Sequence, residues 1–266
     1  LPTCDPNELD ISSNYGNLFE LQESNITTCY QERWVVRSAG NLSNGEGYSA
    51  YLPAGSTADW TGTPNTGLIF GSTMTATGTS TVYPEHRRWN LIGNPYPSPI
   101  STNAFLSFNT GTFNSPLQYE PSGPFSGTYQ AYAPGSNMAV GQGFMALIDP
   151  AIPAPIFVPV LFDNSMRTTG PATWKNEAGD YFEHKLEIEV HGNGFADRTE
   201  VFFNGEATTD FDVLYDRTKV KSNQGQPTIS TGDMLAMNGL HLQDMQGRIP
   251  VTIQPGAAGS FELRFS

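Results

Sequence analysis

The stretch W-N-L-I-G-N-P-Y-P-S-P-I, residues 89–100, opens as a buried β-strand and then meets three prolines in five residues. Trp89, Leu91 and Ile92 favour a sheet, whereas Pro95, Pro97 and Pro99 each lack an N–H and fix φ. The strand is therefore expected to end at Gly93, with Asn94, Pro95, Tyr96 and Pro97 beginning a turn. On this reading Trp89, Gly93, Asn94, Pro95, Tyr96 and Pro97 form a structural motif rather than a reactive one.

The same grammar of short strands and hard turns extends outward on both sides. RWVVRS (33–38) and EGYSAYL (46–52) read as strands around the turn NLSNG (41–45), a hairpin. GEGYSAYL (45–52) and GQGFMALI (141–148) share the pattern Gly-x-Gly-aromatic-x-Ala-x-aliphatic, each downstream of a Trp-led strand. A duplicated half-domain and a reuse of β-turn chemistry both account for this echo. APIFVPVLFDN (154–164) is almost wholly apolar, with Pro159 placing it near an edge or a bulge.

TTGPATWKNEAGD (168–180) reads as a boundary, and HKLEIEVHG (184–192) follows with the clearest alternation in the chain. His184, Leu186, Ile188 and Val190 are expected on a core face and Lys185, Glu187, Glu189 and His191 on a wet one. TEVFFNG (199–205), MLAMNGL (234–240), IPVTI (249–253) and SFELRFS (260–266) add strands at sandwich spacing. No window of eleven residues before residue 170 carries helical periodicity. The expected fold is all-β, with two β-sandwich domains: a jelly-roll-like one over 1–170 and an Ig-like one over 171–266.

Composition agrees with that class. Of 266 residues, 38% are hydrophobic and only 15% charged, and there are 27 glycines and 20 prolines. A helical bundle would be richer in Ala, Leu, Glu and Lys, and aromatic residues at 12% are too many for a disordered chain. The net charge is −13 and the isoelectric point about 4.6. Such acidity disfavours phosphate backbones and anionic membrane surfaces alike, so nucleic acid is not an expected partner. No run of 18 apolar residues offers a membrane span. The opening LPTCDPNELD is not a signal peptide, so an export signal is expected to have been removed or to lie outside these residues.

Both cysteines, Cys4 and Cys29, lie near the start. A disulfide between them would pin the N-terminal segment and imply an oxidising compartment; two reduced, buried thiols are the alternative.

Catalytic signatures are scarce. The four histidines, His86, His184, His191 and His241, include no pair at helical ligand spacing. There is no G-x-S-x-G, HExxH, Walker A loop or dinucleotide fingerprint. Glu120, Asp149 and Asp163 are loop carboxylates of the kind a glycosidase pairs, but nothing in the spacing nominates two of them. The densest acidic stretch, NGEATTDFDVLYDRTKV (204–220), makes Asp210, Asp212 and Asp216 candidate calcium ligands alongside Glu206. The alternative is a solvated loop whose carboxylates cap turns and pair with Arg217 or Lys219. No organic cofactor is expected. Two sequons, at residues 25–27 and 41–43, matter only where the source glycosylates asparagine.

The combined landmarks carry a resemblance. WNLIGNPYPSPI, then GTYQAYAPG (127–135), AVGQGFMALI (139–148), FDNSMRT (162–168), KLEIEV (185–190) and FNGEATTDFDVLYDRTKV (203–220) resemble, in order, a region found in Bacteroidota cell-surface and secreted proteins exported by type IX secretion. The upstream NGEGYSAYL and WTGTPNTG (60–67) fit the same pattern. The resemblance covers about residues 34–260 and implies β-sandwich architecture, an extracellular address and a C-terminal sorting domain after such a region. None lies within these residues, which fits processing or truncation. It implies no single activity and transfers no catalytic residue.

The expected function is thus a non-enzymatic extracellular structural or adhesive surface protein, with self-association into a filament or surface layer as a variant. Expected partners are copies of itself or other cell-surface proteins. One alternative is a glycan-binding module using aromatics such as Tyr15, Trp60, Tyr119, Tyr129 and Tyr132; another is a pair of accessory β-domains of a larger secreted hydrolase.

Overall fold

A computed structural model describes residues 18–25, 33–37, 42–50, 63–77, 87–123, 126–172, 184–212, 214–220, 226–232, 234–241 and 247–266. The first strands are β1 (Leu18–Leu21), β2 (Trp34–Val36), β3 (Ser49–Ala50), β4 (Ile69–Ala76), β5 (Trp89–Gly93) and β6 (Ile100–Ser101). A seven-residue helix α1 (Thr102–Phe108) leads into β7 (Phe113–Gly123) and β8 (Ser126–Ala131). β9 (Asn137–Met138), β10 (Gly143–Ile148) and β11 (Ile156–Phe162) follow. The C-terminal part holds β12 (Lys185–Gly192), β13 (Phe195–Asn204), β14 (Arg217–Thr218), β15 (Thr228–Thr231), β16 (Leu235–His241), β17 (Val251–Gln254) and β18 (Phe261–Phe265). Strands make up 48% and helix 6%, so the fold is all-β and sandwich-like.

The chain divides into two compact units, and the division is discontinuous. Unit 1 comprises residues 1–114 and 136–174; unit 2 comprises 115–135 and 175–266. Residues 115–135, placed with the first domain on sequence grounds, thus group with the C-terminal residues.

In unit 1, β5 ends at Gly93, as the prolines dictate. β10 pairs antiparallel with one edge of β5, Leu147 opposite Trp89 and Gly143 opposite Gly93. On the other edge Glu46 bridges Ile92. The two Gly-x-Gly stretches that echo in the sequence therefore flank the same strand. Gly47 and Gly93 pass so closely that a Cβ on Gly93 would lie 2.6 Å from the Glu46 carbonyl oxygen, and one on Gly47 2.7 Å from that of Ile92. Gly47 N–H donates to Leu91 and Gly93 N–H to Gly45, which fixes that approach.

β4 and β11 form a second antiparallel pair whose register shifts between Pro159 and Leu161, where proline supplies no donor. The core gathers around Phe105 of α1, whose ring lies 5.1 Å edge-on to Phe144, 5.8 Å from Phe162 and 6.2 Å from Phe113. This helix is absent from the sequence reading because it is shorter than any periodic window. Its start is nonetheless encoded: the Ser101 hydroxyl accepts from Ala104 N–H, as an N-cap does.

In unit 2, β7 and β8 form a hairpin with Leu117 opposite Ala131. The main sheet runs β17-β15-β16-β13-β12-β18, with β14 added on β16. β13 and β16 are parallel, and the other pairs are antiparallel. Ile188, Val190 and Ile229 form a buried cluster with Phe261 packed against it, so the sheet folds its β15 wing over β12.

Candidate functional site

The proline-rich motif resolves into a scaffold. Asn94 is buried, and its Nδ2 donates to the Ser98 and Ala139 carbonyls at 2.9 and 3.0 Å. Its Oδ1 accepts from Tyr96 N–H at 3.0 Å, closing an Asx-turn. The Tyr96 hydroxyl donates to the Gly67 carbonyl at 2.6 Å, and Asn65 Nδ2 to that of Pro95 at 3.0 Å. Arg167 lies over the Tyr96 ring and donates from Nε to Ser98 Oγ at 2.8 Å. Asn164 Oδ1 accepts from Gly67 N–H at 3.0 Å. Three landmarks far apart in sequence, at 65–67, 94–98 and 164–167, thus lock one another through hydrogen bonds. Their polar atoms are occupied by the fold itself.

The acidic candidates fare likewise. Asp216 is buried, with one carboxylate oxygen accepting from Asp212 N–H at 2.7 Å and the other from Gly239 N–H at 2.8 Å. Burial pushes its carboxyl above the usual range, against those two hydrogen bonds. Asp212 accepts from Leu214 N–H, while Asp210 is exposed and accepts from the Thr208 hydroxyl through its backbone carbonyl. Asp210, Asp212 and Asp216 are not brought together as a ligand set, and the described residues contain no cluster of three or more His, Cys, Asp or Glu suited to a metal. Asp149 and Asp163 cap local turns at Ala151 and Ser165, and nothing is described of the Glu120 side chain. His184 is exposed just before β12, not partly buried as the alternation implied. Tyr132 is buried, which removes it from the glycan-stacking set. Cys4, Cys29, Tyr15, Trp60 and His86 lie outside the described residues, as does the side chain of Tyr119.

Three charge groupings escaped sequence reasoning. Asp197 and Lys219 form a buried ion pair, Oδ1 to Nζ 2.7 Å, with Asp197 Oδ2 also accepting from Ile229 N–H at 2.8 Å. Glu23 is buried and accepts from Arg88 N–H at 2.8 Å and from both Thr77 N–H and its hydroxyl, at 3.0 and 2.9 Å. It thereby holds Arg88 at φ 67°, a backbone region unusual for arginine.

The third grouping is an acid pair. Glu187 and Glu200 stand directly opposite each other on β12 and β13. Glu200 is only 5% exposed and hydrogen-bonds to Glu187. Burial raises the Glu200 carboxyl above its ordinary range, opposed by the nearby Lys185 and Arg198 cations. Lys185 Nζ and Arg198 Nη1 lie 3.8 and 3.7 Å from Glu187 Oε2. Carboxyls in hydrogen-bond contact are closer than the roughly 5 Å that a retaining glycosidase needs between them. Set this close across two strands, the two carboxyls leave no room between them for a glycosidic bond.

Exposed apolar side chains line the rim of the unit 2 sheet. Opposite residues in an antiparallel pair share a face, so Ile253 continues the plane of Ile229, and Leu263 and Phe265 continue that of Val190 and Ile188. These core-plane side chains are 38%, 42% and 63% exposed, on the two strands that end the sheet. No helix among the described residues is long and apolar enough to cross a membrane.

Residues 4–119, less than half of the chain, match the model of a domain of unknown function (DUF8693). No curated protein and no solved structure matches the chain.

Proposed function

We propose that this chain is a non-enzymatic extracellular protein of structural or adhesive role, delivered to the bacterial surface by type IX secretion and able to assemble with copies of itself. The observation that carries the reading is the rim of the unit 2 sheet. β17 and β18 terminate it with Val251, Ile253, Leu263 and Phe265 exposed in the plane of the core. An edge strand offers unpaired N–H and C=O groups, and exposed apolar side chains beside them favour pairing with another strand. The address rests on the sequence resemblance alone; within the fold Asn65, Asn94, Tyr96, Asn164 and Arg167 of those landmarks serve as internal fasteners, a role compatible with very different surface proteins.

Negative-stain imaging and sizing of native material test the assembly. Oligomers or extended particles are expected; strictly monomeric particles at high concentration would refute it.

A further inference from the structure

We propose that β18 is a self-complementary edge through which two copies of the chain pair antiparallel about a two-fold axis at Leu263. This deepens the assembly reading above and rests on it, by naming the edge, the register and the occupant.

The direction of the backbone groups follows from the ladder. Glu187 and Ser266 exchange both backbone hydrogen bonds, at 2.9 and 3.1 Å. Such exchanges recur at every second residue of an antiparallel pair. Arg264 and Glu262, opposite Glu189 and His191, therefore turn their backbone groups toward β12. Phe261, Leu263 and Phe265 turn theirs toward the free side, where no strand among the described residues pairs with β18.

The strand F-E-L-R-F repeats its apolar positions when read backwards while its two charges exchange places, so a partner running the other way is complementary to it. With Leu263 facing its own counterpart, Phe261 stands opposite the partner's Phe265, and both hydrogen bonds form at each outward-facing pair. Glu262 stands opposite the partner's Arg264 at the non-hydrogen-bonded positions, where Cα atoms approach to about 4.5 Å and side chains meet most closely. Both side chains are accessible, 64% and 56% exposed. Glu189 beside Arg264 and His191 beside Glu262 extend each row, so that carboxylates alternate with basic groups across the joint.

The register is selective. A slip of two residues in one direction sets Glu262 against Glu262, and in the other Arg264 against Arg264. A slip of one turns the apolar face of one copy against the charged face of the other. Charges on an edge normally blunt it against pairing; here their order on the strand makes one pairing attractive and its neighbours repulsive. The contact is isologous and closes at two chains.

Sedimentation equilibrium of the 266-residue chain in roughly 0.15 M salt, where long-range repulsion between acidic copies is screened, tests the proposal. The mass is expected to rise from 28.9 kDa toward twice that with concentration. Glu262→Arg and Arg264→Glu each place like charges opposite one another and are expected to weaken association at least about tenfold. An equimolar mixture of the two variants, or the double swap E262R/R264E, restores it. Circular dichroism of each variant is expected to match the wild type, since both positions are exposed. A strictly monomeric wild type overturns the proposal, as does a mixture that fails to recover association. Association unchanged in E262R overturns this edge while leaving assembly through another surface standing.

Discussion

Replacing Asn94 by alanine tests whether the proline-rich motif is a fastener. The side chain makes three hydrogen bonds, two from Nδ2 to the Ser98 and Ala139 carbonyls and one to Oδ1 from Tyr96 N–H. Truncation leaves two carbonyls and one N–H without that partner at a buried position. Each such loss costs about 1–2 kcal/mol, so N94A is expected to destabilise unit 1 by about 3–6 kcal/mol. In a domain of this size that is a fall of roughly 10 °C in melting temperature. Asn94→Asp discriminates between the parts of the network. It keeps the acceptor for Tyr96 but turns a carboxylate toward two carbonyl oxygens, so it should damage the fold at least as much as alanine. Urea unfolding followed by tryptophan fluorescence reads both, Trp89 being buried five residues away. A loss below about 1 kcal/mol in N94A, or a wild-type-like N94D, would refute the reasoning.

Gly93→Ala should impair folding, because its Cβ would sit 2.6 Å from the Glu46 carbonyl oxygen, and backbone cannot yield cheaply there; an equally soluble, equally stable variant would contradict this. Lys219→Met leaves Asp197 charged and buried without its ion-pair partner, so a loss of about 3–5 kcal/mol in equilibrium unfolding is expected. Glu200→Gln should change the pH dependence of stability. Burial raises the folded-state carboxyl, so its contribution is present below the ordinary carboxylate range and lost as pH rises through the raised value. Melting temperatures of wild type and E200Q should agree near about pH 4 and diverge in favour of E200Q toward about pH 8; parallel profiles would contradict the assignment.

The strand stop at Gly93 was legible because proline acts locally, through φ and a missing donor. The partners of Asn94 were not, since Ala139 lies 45 residues away and only the fold brings it near. The face of β12 bearing Lys185, Glu187 and Glu189 reads as wet from alternation alone. In the structure Lys185 and Glu187 are half-buried, because Glu200 and Arg198 of β13 meet them across the sheet. Alternation reports which residues share a face, not what lies over it. The buried Asp197–Lys219 pair was invisible for a related reason: pairing depends on register between distant strands. The acidic loop offered the opposite lesson. Its carboxylates suggested calcium by composition, yet Asp212 and Asp216 spend their oxygens on nearby backbone N–H groups, as Asp does in turns. SFELRFS was legible as a strand, but its place at the end of the sheet was not.

The most direct test of the surface-protein account is immunogold labelling of intact, unpermeabilised cells that produce the chain, combined with sizing of the protein released from their surface. The account predicts dense labelling outside the cell and released particles larger than a single chain. Labelling that appears only after permeabilisation, with the protein recovered as monomers, would contradict it.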